Sequence, residues 1–267
     1  MTAHVITISS GKGGVGKTTT VANLAVALAA DGAKVVCIDG DIGLRNLDVV
    51  MGLENRIVYD IVDVIEGRCK LRQAMIRDKH LNELYLIPAA QTRDKNAVSP
   101  SDMTRLCNEL RPEVDFILID SPAGIERGFR NAIAPADRVL VVTNPEVSAV
   151  RDADRVVGIL EAEEKRETAL IINRLNPILV KQHDMLSAED VLDLLGVKLI
   201  GVVPEDEGVI VSSNRGAPVA QDPKSRAGQA FRNIAKRIKG ENVPFLEFGK
   251  QDGLWDRIQK MAGGRKT

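Results

Sequence analysis

Aromatic side chains are scarce in this chain: one Trp, two Tyr and five Phe make up 3% of 267 residues. Their distribution is therefore informative, and four of them, Phe231, Phe245, Phe248 and Trp255, fall within the last 37 residues. Net charge is almost absent too, with 36 basic against 37 acidic residues, which argues against a globally basic nucleic-acid binder while leaving room for a local phosphate site. The three cysteines, Cys37, Cys69 and Cys107, are odd in number and widely spaced. They offer no disulfide framework and no paired metal motif, and fit a reducing cytosol. His4, His80 and His183 show no metal-ligand spacing. The opening MTAHVITISSGKGG has no basic region followed by a continuous apolar core, and no segment reaches the roughly 18 apolar residues of a bilayer span, so any membrane contact is expected to be peripheral.

The chain does hold enough apolar residues, 44%, for one large core, and no Pro/Gly/Ser-rich linker divides it. Val5 to Ser9 is a short apolar run ending in glycines, and Val21, Leu24, Ala25, Leu28 and Ala29 then repeat at helical spacing up to a stop at Gly32. Lys34 to Asp39 resumes an apolar strand, which completes a βαβ unit. Further strands are predicted at 84–88, 115–120, 138–143, 169–173 and 197–203, with helices at 102–110, 148–164, 187–195 and 226–239. Continuous apolar strands alternating with helices predict a doubly wound α/β fold, a mostly parallel sheet covered by helices on both faces.

Gly11-Lys12-Gly13-Gly14-Val15-Gly16-Lys17-Thr18 has P-loop spacing and sits between a predicted strand and helix, the context the motif requires. Glycines let backbone amides surround phosphate oxygens, Lys17 reaches the β/γ-phosphates, and Thr18 ligates Mg2+ while the helix N-terminus, with Thr19, favours the anion. Asp39 and Asp41 end the second strand at the edge where a metal-bound triphosphate would lie, or they cap a turn. Asp120 ends another strand in DFILIDSPAG, where a carboxylate can approach the metal and Gly124 can let a phosphate-sensitive loop move. Lys17, Thr18 and Mg2+ give charge compensation and alignment of the kind that phosphoryl transfer needs. The chain has no Asn-Lys-x-Asp guanine signature, so ATP is the expected nucleotide.

KGGVGKT resembles the deviant Walker A motif of the MinD/ParA ATPases. By that resemblance Lys12 crosses an ATP-dependent dimer to the partner's phosphate, although a solvent-exposed lysine is the alternative. The resemblance also implies that Asp41, in switch I, orients the attacking water, that Asp39 supports Mg2+ or water, and that Asp120 with its following loop forms Walker B and switch II. Asn173, Arg174, Pro204, Glu205 and Asp206 would flank adenine, or cap their elements. DGDIGLRNLDVVMGLENRIVYD, LIPAAQTRDK, DSPAGIERGF, TNPEVSAVRDADRVVGIL and IGVVPEDEGVIVSSNRGAPV extend the likeness over residues 2 to about 220 and narrow it to the MinD branch. That branch implies division-site selection through a MinC-like inhibitor of division-ring assembly and hydrolysis stimulated by a MinE-like activator. Ser148, Arg151, Asp152 and Asp154 would contribute to the partner-facing surface, or cap a helix.

Leu254, Trp255, Ile258 and Met261 form one apolar helical face, and Lys250, Arg257, Lys260, Arg265 and Lys266 outnumber Asp252 and Asp256. Such a basic amphipathic segment suits anionic phospholipid, weakly as one copy and cooperatively as two. It resembles a membrane-targeting tail. Docking on the core is the alternative. The chain is thus read as an ATPase domain at 1–249 and a tail at 250–267, peripheral on the cytoplasmic face of the inner membrane, or in a plastid if a transit peptide was removed. A DNA-partitioning ATPase and a nucleotide-gated membrane scaffold with negligible turnover are the competing functions. Nucleic acid is not expected as the main partner. Phe231, Ile234 and Ile238 are expected to dock helix 226–239 on the core, and Phe245 and Phe248 to attach the segment that follows.

Overall fold

A computed structural model describes residues 3–94 and 97–247. Its eight-stranded sheet is built on β1 (His4–Ser9), β2 (Val35–Asp39), β5 (Phe116–Asp120), β6 (Arg138–Thr143), β7 (Thr168–Leu175) and β8 (Lys198–Pro204), completed on one side by β4 (Leu84–Ile87) and β3 (Ile76–Arg77). The spatial order is β3-β4-β2-β5-β1-β6-β7-β8, parallel throughout except for the β3 edge. β2 and β5 are buried at every residue, VVCID and FILID, which is why they read as unbroken apolar runs and not as alternating ones.

Alternate side chains of each strand enter different cores. Ile6, Ile8, Cys37 and Leu118 pack with α1 (Lys17–Ala30) and α11 (Arg226–Ile238), whereas Val5, Ile38, Ile117 and Ile119 face α3 (Ile61–Ile65) and α5 (Pro100–Leu110). Val139, Val141, Leu170 and Ile172 form a third cluster with α6 (Arg127–Ile133), α7 (Val147–Ala162) and α9 (Ala188–Leu195). Ten consecutive residues of α1, Thr20 to Ala29, are buried. That helix lies between the sheet and α11, so small Ala side chains on its other faces give the close approach that larger ones would block.

Phe231, Ile234 and Ile238 are buried in the α11 core, as their spacing predicts. Beyond α11, the Arg237 guanidinium donates to the carbonyls of Ile200 (3.0 Å), Val243 (2.9 Å) and Pro244 (2.8 Å) and lies 4.0 Å over the Phe245 ring. Its burial among carbonyls brings its pKa down to about 10. Phe245 thereby attaches the outgoing segment to the core; Phe248 lies outside the described residues.

The short elements α2 (Leu47–Val50), α4 (Leu71–Ala74), α8 (Pro177–Gln182), α10 (Glu207–Asn214) and β3 were not foreseen, nor were α3 and α6. Most are shorter than two helical turns and carry too few residues for a period to register.

Candidate nucleotide site

Parallel strands put all their C-terminal ends on one edge, and the functional residues gather there. β1 ends at Ser9, and the loop that follows turns through Gly14 and Gly16, at φ 79° and 94°, before α1 starts at Lys17. Both glycines hold the left-handed conformation that aims successive backbone amides into one concavity, so the glycine pattern is required by geometry here. Two buried asparagines brace the loop from below. Asn173, two residues before the end of β7, donates its Nδ2 to the Val15 carbonyl at 2.8 Å. The Asn144 amide, with its nitrogen turned toward acceptors, reaches the same carbonyl at 3.2 Å and the Asn173 carbonyl at 3.3 Å.

Asn173, expected to flank adenine, also holds the loop through its amide. A Cβ on Gly16 would stand 2.3 Å from Asn173 Nδ2, which leaves no space between them. Asn144 was not anticipated, although a signal existed: Thr143-Asn144 at the end of β6 matches Ile172-Asn173 within β7, and Thr143 and Ile172 are register partners. We expect Asn173→Ala to raise the Kd for ATP about tenfold, the worth of one buried hydrogen bond to the loop, in equilibrium nucleotide binding. Unchanged affinity would show that the loop holds its shape unaided.

Asp39 and Asp120 are side-by-side partners at the ends of β2 and β5, both buried. Asp39 Oδ1 accepts the Asp41 amide at 3.0 Å, and Oδ2 accepts those of Asn46 and Leu47 at 3.2 Å each. The structure thus gives Asp39 the task of pinning the Gly40–Leu47 loop and the start of α2 through both of its oxygens. Burial and the neighbouring Asp120 push its carboxyl up to about 7. Asp41 is half-buried on the pinned loop, two residues beyond the strand end.

Asp120 differs. One of its oxygens, Oδ1, is buried without a hydrogen-bond partner, while the Thr18 hydroxyl and the Lys17 charge stand beside the carboxyl. Burial raises it to about 6 despite both. A desolvated carboxylate with a spare oxygen next to a P-loop hydroxyl fits Mg2+, a hard oxygen-seeking cation. The following loop ties back to the P-loop through the Gly124 amide on the Ser10 carbonyl at 3.0 Å. A γ-phosphate held by one loop would therefore be felt by the other.

Lys12 lies 43% exposed on the open side of the loop, with Nζ 3.2 Å from Ser148 Oγ and 3.7 Å from Glu146 Oε2 at the start of α7. A Cβ on Gly11 would come within 2.1 Å of the Asp152 carbonyl oxygen, so the first turns of α7 rest directly on the P-loop. Ser148 and Asp152 thus belong to the site's wall, while Arg151 and Asp154 face outward. Glu146, the ion partner of Lys12, escaped sequence reading because nothing in its spacing singles it out.

Pro204, Glu205 and Asp206 end β8 on the same edge, where Asn176 Nδ2 donates to Glu205 Oε2 at 2.8 Å and Asp206 caps α10. They line one wall of a groove of about 1250 Å³ whose other sides carry Ile178 and Val211. Arg174 is exposed in a left-handed conformation at φ 56°, where β7 and β8 slip register. Leu254, Trp255, Ile258 and Met261 lie outside the described residues.

A glycine loop on a parallel-sheet edge, a Lys-Thr pair opening the helix, a buried acid beside the threonine and a second loop lysine define a P-loop ATPase of the deviant Walker A class. Comparison agrees: residues 6–219 match the CobQ/CobB/MinD/ParA nucleotide binding domain. The chain is 53% identical over 265 residues to the septum site-determining protein MinD of Bacillus subtilis (strain 168), covering 98% of this chain and 99% of that protein. Its fold superimposes on a chain of the MinC:MinD cell division protein complex of Aquifex aeolicus with TM-score 0.87 and 48% identity, covering 92% of this chain and all of that one. It also matches the septum site-determining protein MinD complexed with Mg-ADP from Pyrococcus horikoshii OT3, with TM-score 0.80 and 32% identity over 88% of this chain and 96% of that one. The chain belongs to the MinD family of septum site-determining ATPases.

Proposed function

We propose that this ATPase dimerises when ATP and Mg2+ are bound, places a MinC-like inhibitor of division-ring assembly, and is released by a MinE-like activator that stimulates hydrolysis. The observation that carries the reading is Lys12: an exposed cation on the open face of a P-loop that already has Lys17 within it. With nucleotide present, the loop amides and Lys17 would hold the phosphates, and Thr18 and Asp120 the metal, which supplies charge neutralisation at the transferring phosphoryl group. Asp41 would then orient the water, and Lys12 would stabilise charge on the partner's nucleotide. The exposed first turn of α7 beside Lys12 would be remodelled by dimerisation and so present a nucleotide-dependent surface to the inhibitor and activator. The MinC:MinD complex of the Aquifex aeolicus relative supports the inhibitor assignment.

The same reading divides the chain into an ATPase domain at 1–249 and a membrane-targeting tail at 250–267. Among the described residues no helix is long and apolar enough to cross a membrane, so binding would be peripheral, on the cytoplasmic face of the inner membrane. The test crosses ATP hydrolysis with sedimentation on vesicles containing anionic phospholipid. Protein should sediment with ATP or a non-hydrolysed analogue, and most should stay in solution with ADP or after Trp255→Glu. Equal retention in all four conditions would overturn the nucleotide switch. ATP-dependent binding to nonspecific DNA without vesicle binding would move the assignment to a DNA-partitioning ATPase.

A further inference from the structure

A buried backbone amide needs an acceptor, so the loop that carries Asp41 can be accounted for amide by amide. Gly40 donates to the Asp120 carbonyl (2.9 Å), Asp41 to Asp39 Oδ1 (3.0 Å), Gly43 to the Ala90 carbonyl (2.8 Å) and Leu44 to the Asp41 carbonyl (3.1 Å). In this run the Ile42 amide alone has no acceptor among the described residues, although Ile42 is buried.

The complementary group stands on α6. Asn131, 5% exposed, donates its Nδ2 to the Val98 carbonyl at 2.8 Å, which fixes the orientation of its amide. Its Oδ1 is then buried with no hydrogen-bond partner among the described residues. Ile42 and Asn131 line the same cavity of about 30 Å³, with Gly40, Asp41, Pro122 and Met103. That volume exceeds the roughly 10–15 Å³ that one water requires and is far below what an organic ligand needs. A water accepting from the Ile42 amide and donating to Asn131 Oδ1 satisfies both groups at once. The helix bearing Asn131 is itself set by the loop after Asp120: a Cβ on Gly128 would stand 2.6 Å from Pro122 Cγ, so α6 rests directly on that loop.

We propose that Asn131 is a positioning residue for hydrolysis: through one water it holds the Ile42 amide, and with it the neighbouring Asp41, in register with the loop that follows Asp120. The inference rests on the reading of Asp41 as the residue that orients the attacking water. Asn131 acts on that carboxylate through the backbone. A misplacement of about 1 Å at a reacting group can cost up to about a hundredfold in rate, so a single bridge is enough to matter.

In the full-length chain, Asn131→Leu removes the acceptor at nearly constant side-chain volume. Steady-state hydrolysis of Mg-ATP should lose about tenfold in kcat, with KM for ATP within about twofold of wild type. Hydrogen exchange at the Ile42 amide should become several-fold faster, while Gly43, held by the Ala90 carbonyl, exchanges as before. Asn131→Asp, assayed beside wild type at pH 6 where burial keeps the carboxyl protonated, still offers an O–H to Val98 and an oxygen to the water, and should recover most of the turnover. A side chain that only holds Val98 predicts a lower thermal midpoint for Asn131→Leu with kcat and Ile42 exchange unchanged, and that result overturns the proposal. If Asn131→Leu does not fold, a crystal structure of the wild type with a non-hydrolysed ATP analogue decides. An ordered water within hydrogen-bond distance of both Ile42 N and Asn131 Oδ1 supports the bridge; no such water, or a protein acceptor for Ile42, overturns it. Asp41→Ala separates the two readings. Normal hydrolysis by that variant removes the role of Asp41 and the link to turnover with it, whereas normal kcat in Asn131→Leu beside a disabled Asp41→Ala leaves Asp41 in place and removes only Asn131.

Discussion

Replacing Lys12 by Ala will leave ATP binding near its normal strength and lower activator-stimulated hydrolysis by at least about a hundredfold, the scale of removing a preorganised charge from a phosphoryl-transfer site. The loop's shape does not depend on this side chain: Gly14 and Gly16 set its turns, and Asn173 braces it through the Val15 carbonyl. The contacts Lys12 makes to Ser148 and Glu146 are exposed, and pairs of that kind contribute about 0–1 kcal/mol, so the cation can leave them at little cost. A trans role has a specific signature. Mixing Lys12→Ala with an Asp41→Ala chain, which keeps the loop that holds ATP and so can still dimerise, pairs an intact Lys12 with a neighbour that retains Asp41, and stimulated turnover should return in part. If Lys12 served only to tether α7 to the loop, the substitution would cost under about 1 kcal/mol of stability and leave turnover intact. Nucleotide titration, phosphate release and mixing together separate these outcomes.

The residues that were legible in the sequence are those whose chemistry depends on local spacing. The P-loop glycines, Lys17, Thr18 and Asp120 can be placed from sequence because a strand end, a tight turn and a helix start must follow in order, and each demands particular residue types. The parallel sheet was legible for the same reason: strands buried on both faces cannot carry polar residues, and β2 and β5 carry them only at their last position. What remained hidden is set by contacts between distant segments. Asn173 and Gly16 meet across 157 positions because β7 lies two strands from β1, a neighbour relation that the topology decides and no local pattern encodes. Asp39, to which the resemblance assigns a supporting contact to Mg2+ or water, has a second task that no local pattern announces: strand ends also begin loops, and it accepts the amides of Asp41, Asn46 and Leu47. Asp120, in the next strand, keeps an unpartnered oxygen because its following loop turns away toward Ser10.

Asp120→Asn will stabilise the metal-free protein at neutral pH while removing its ATPase activity. Asp120 is held near 6, above the ordinary 3.8 of an aspartate, because burial disfavours its charged form more than Lys17 and Thr18 favour it. A raised acid costs the folded state nothing below the unfolded pKa. Its penalty grows as pH climbs through that value and reaches its full size above the folded pKa. At pH 7 to 8 the penalty is on the order of 2–3 kcal/mol, because each tenfold weakening of the acid on folding corresponds to about 1.4 kcal/mol, and Asp39, near 7, adds a contribution of the same sign. Urea unfolding in the presence of a chelator should therefore show the wild type losing stability between about pH 4 and pH 7, with Asp120→Asn flatter and more stable at the alkaline end and the two curves meeting near pH 4. Mg-ATP should reverse the order, since a ligand at a hundred times its Kd adds about 2.7 kcal/mol to whichever protein binds it. The wild-type carboxylate would recover through the metal what it loses without it, and the amide, with no charge to offer, would not. A variant less stable than wild type at every pH would show instead that Asp120 is chiefly a structural partner of Lys17 and Thr18. The predicted exchange of metal-free stability for ATP-dependent stability follows from the feature that makes Asp120 a fit for Mg2+, a buried oxygen with no partner in the protein.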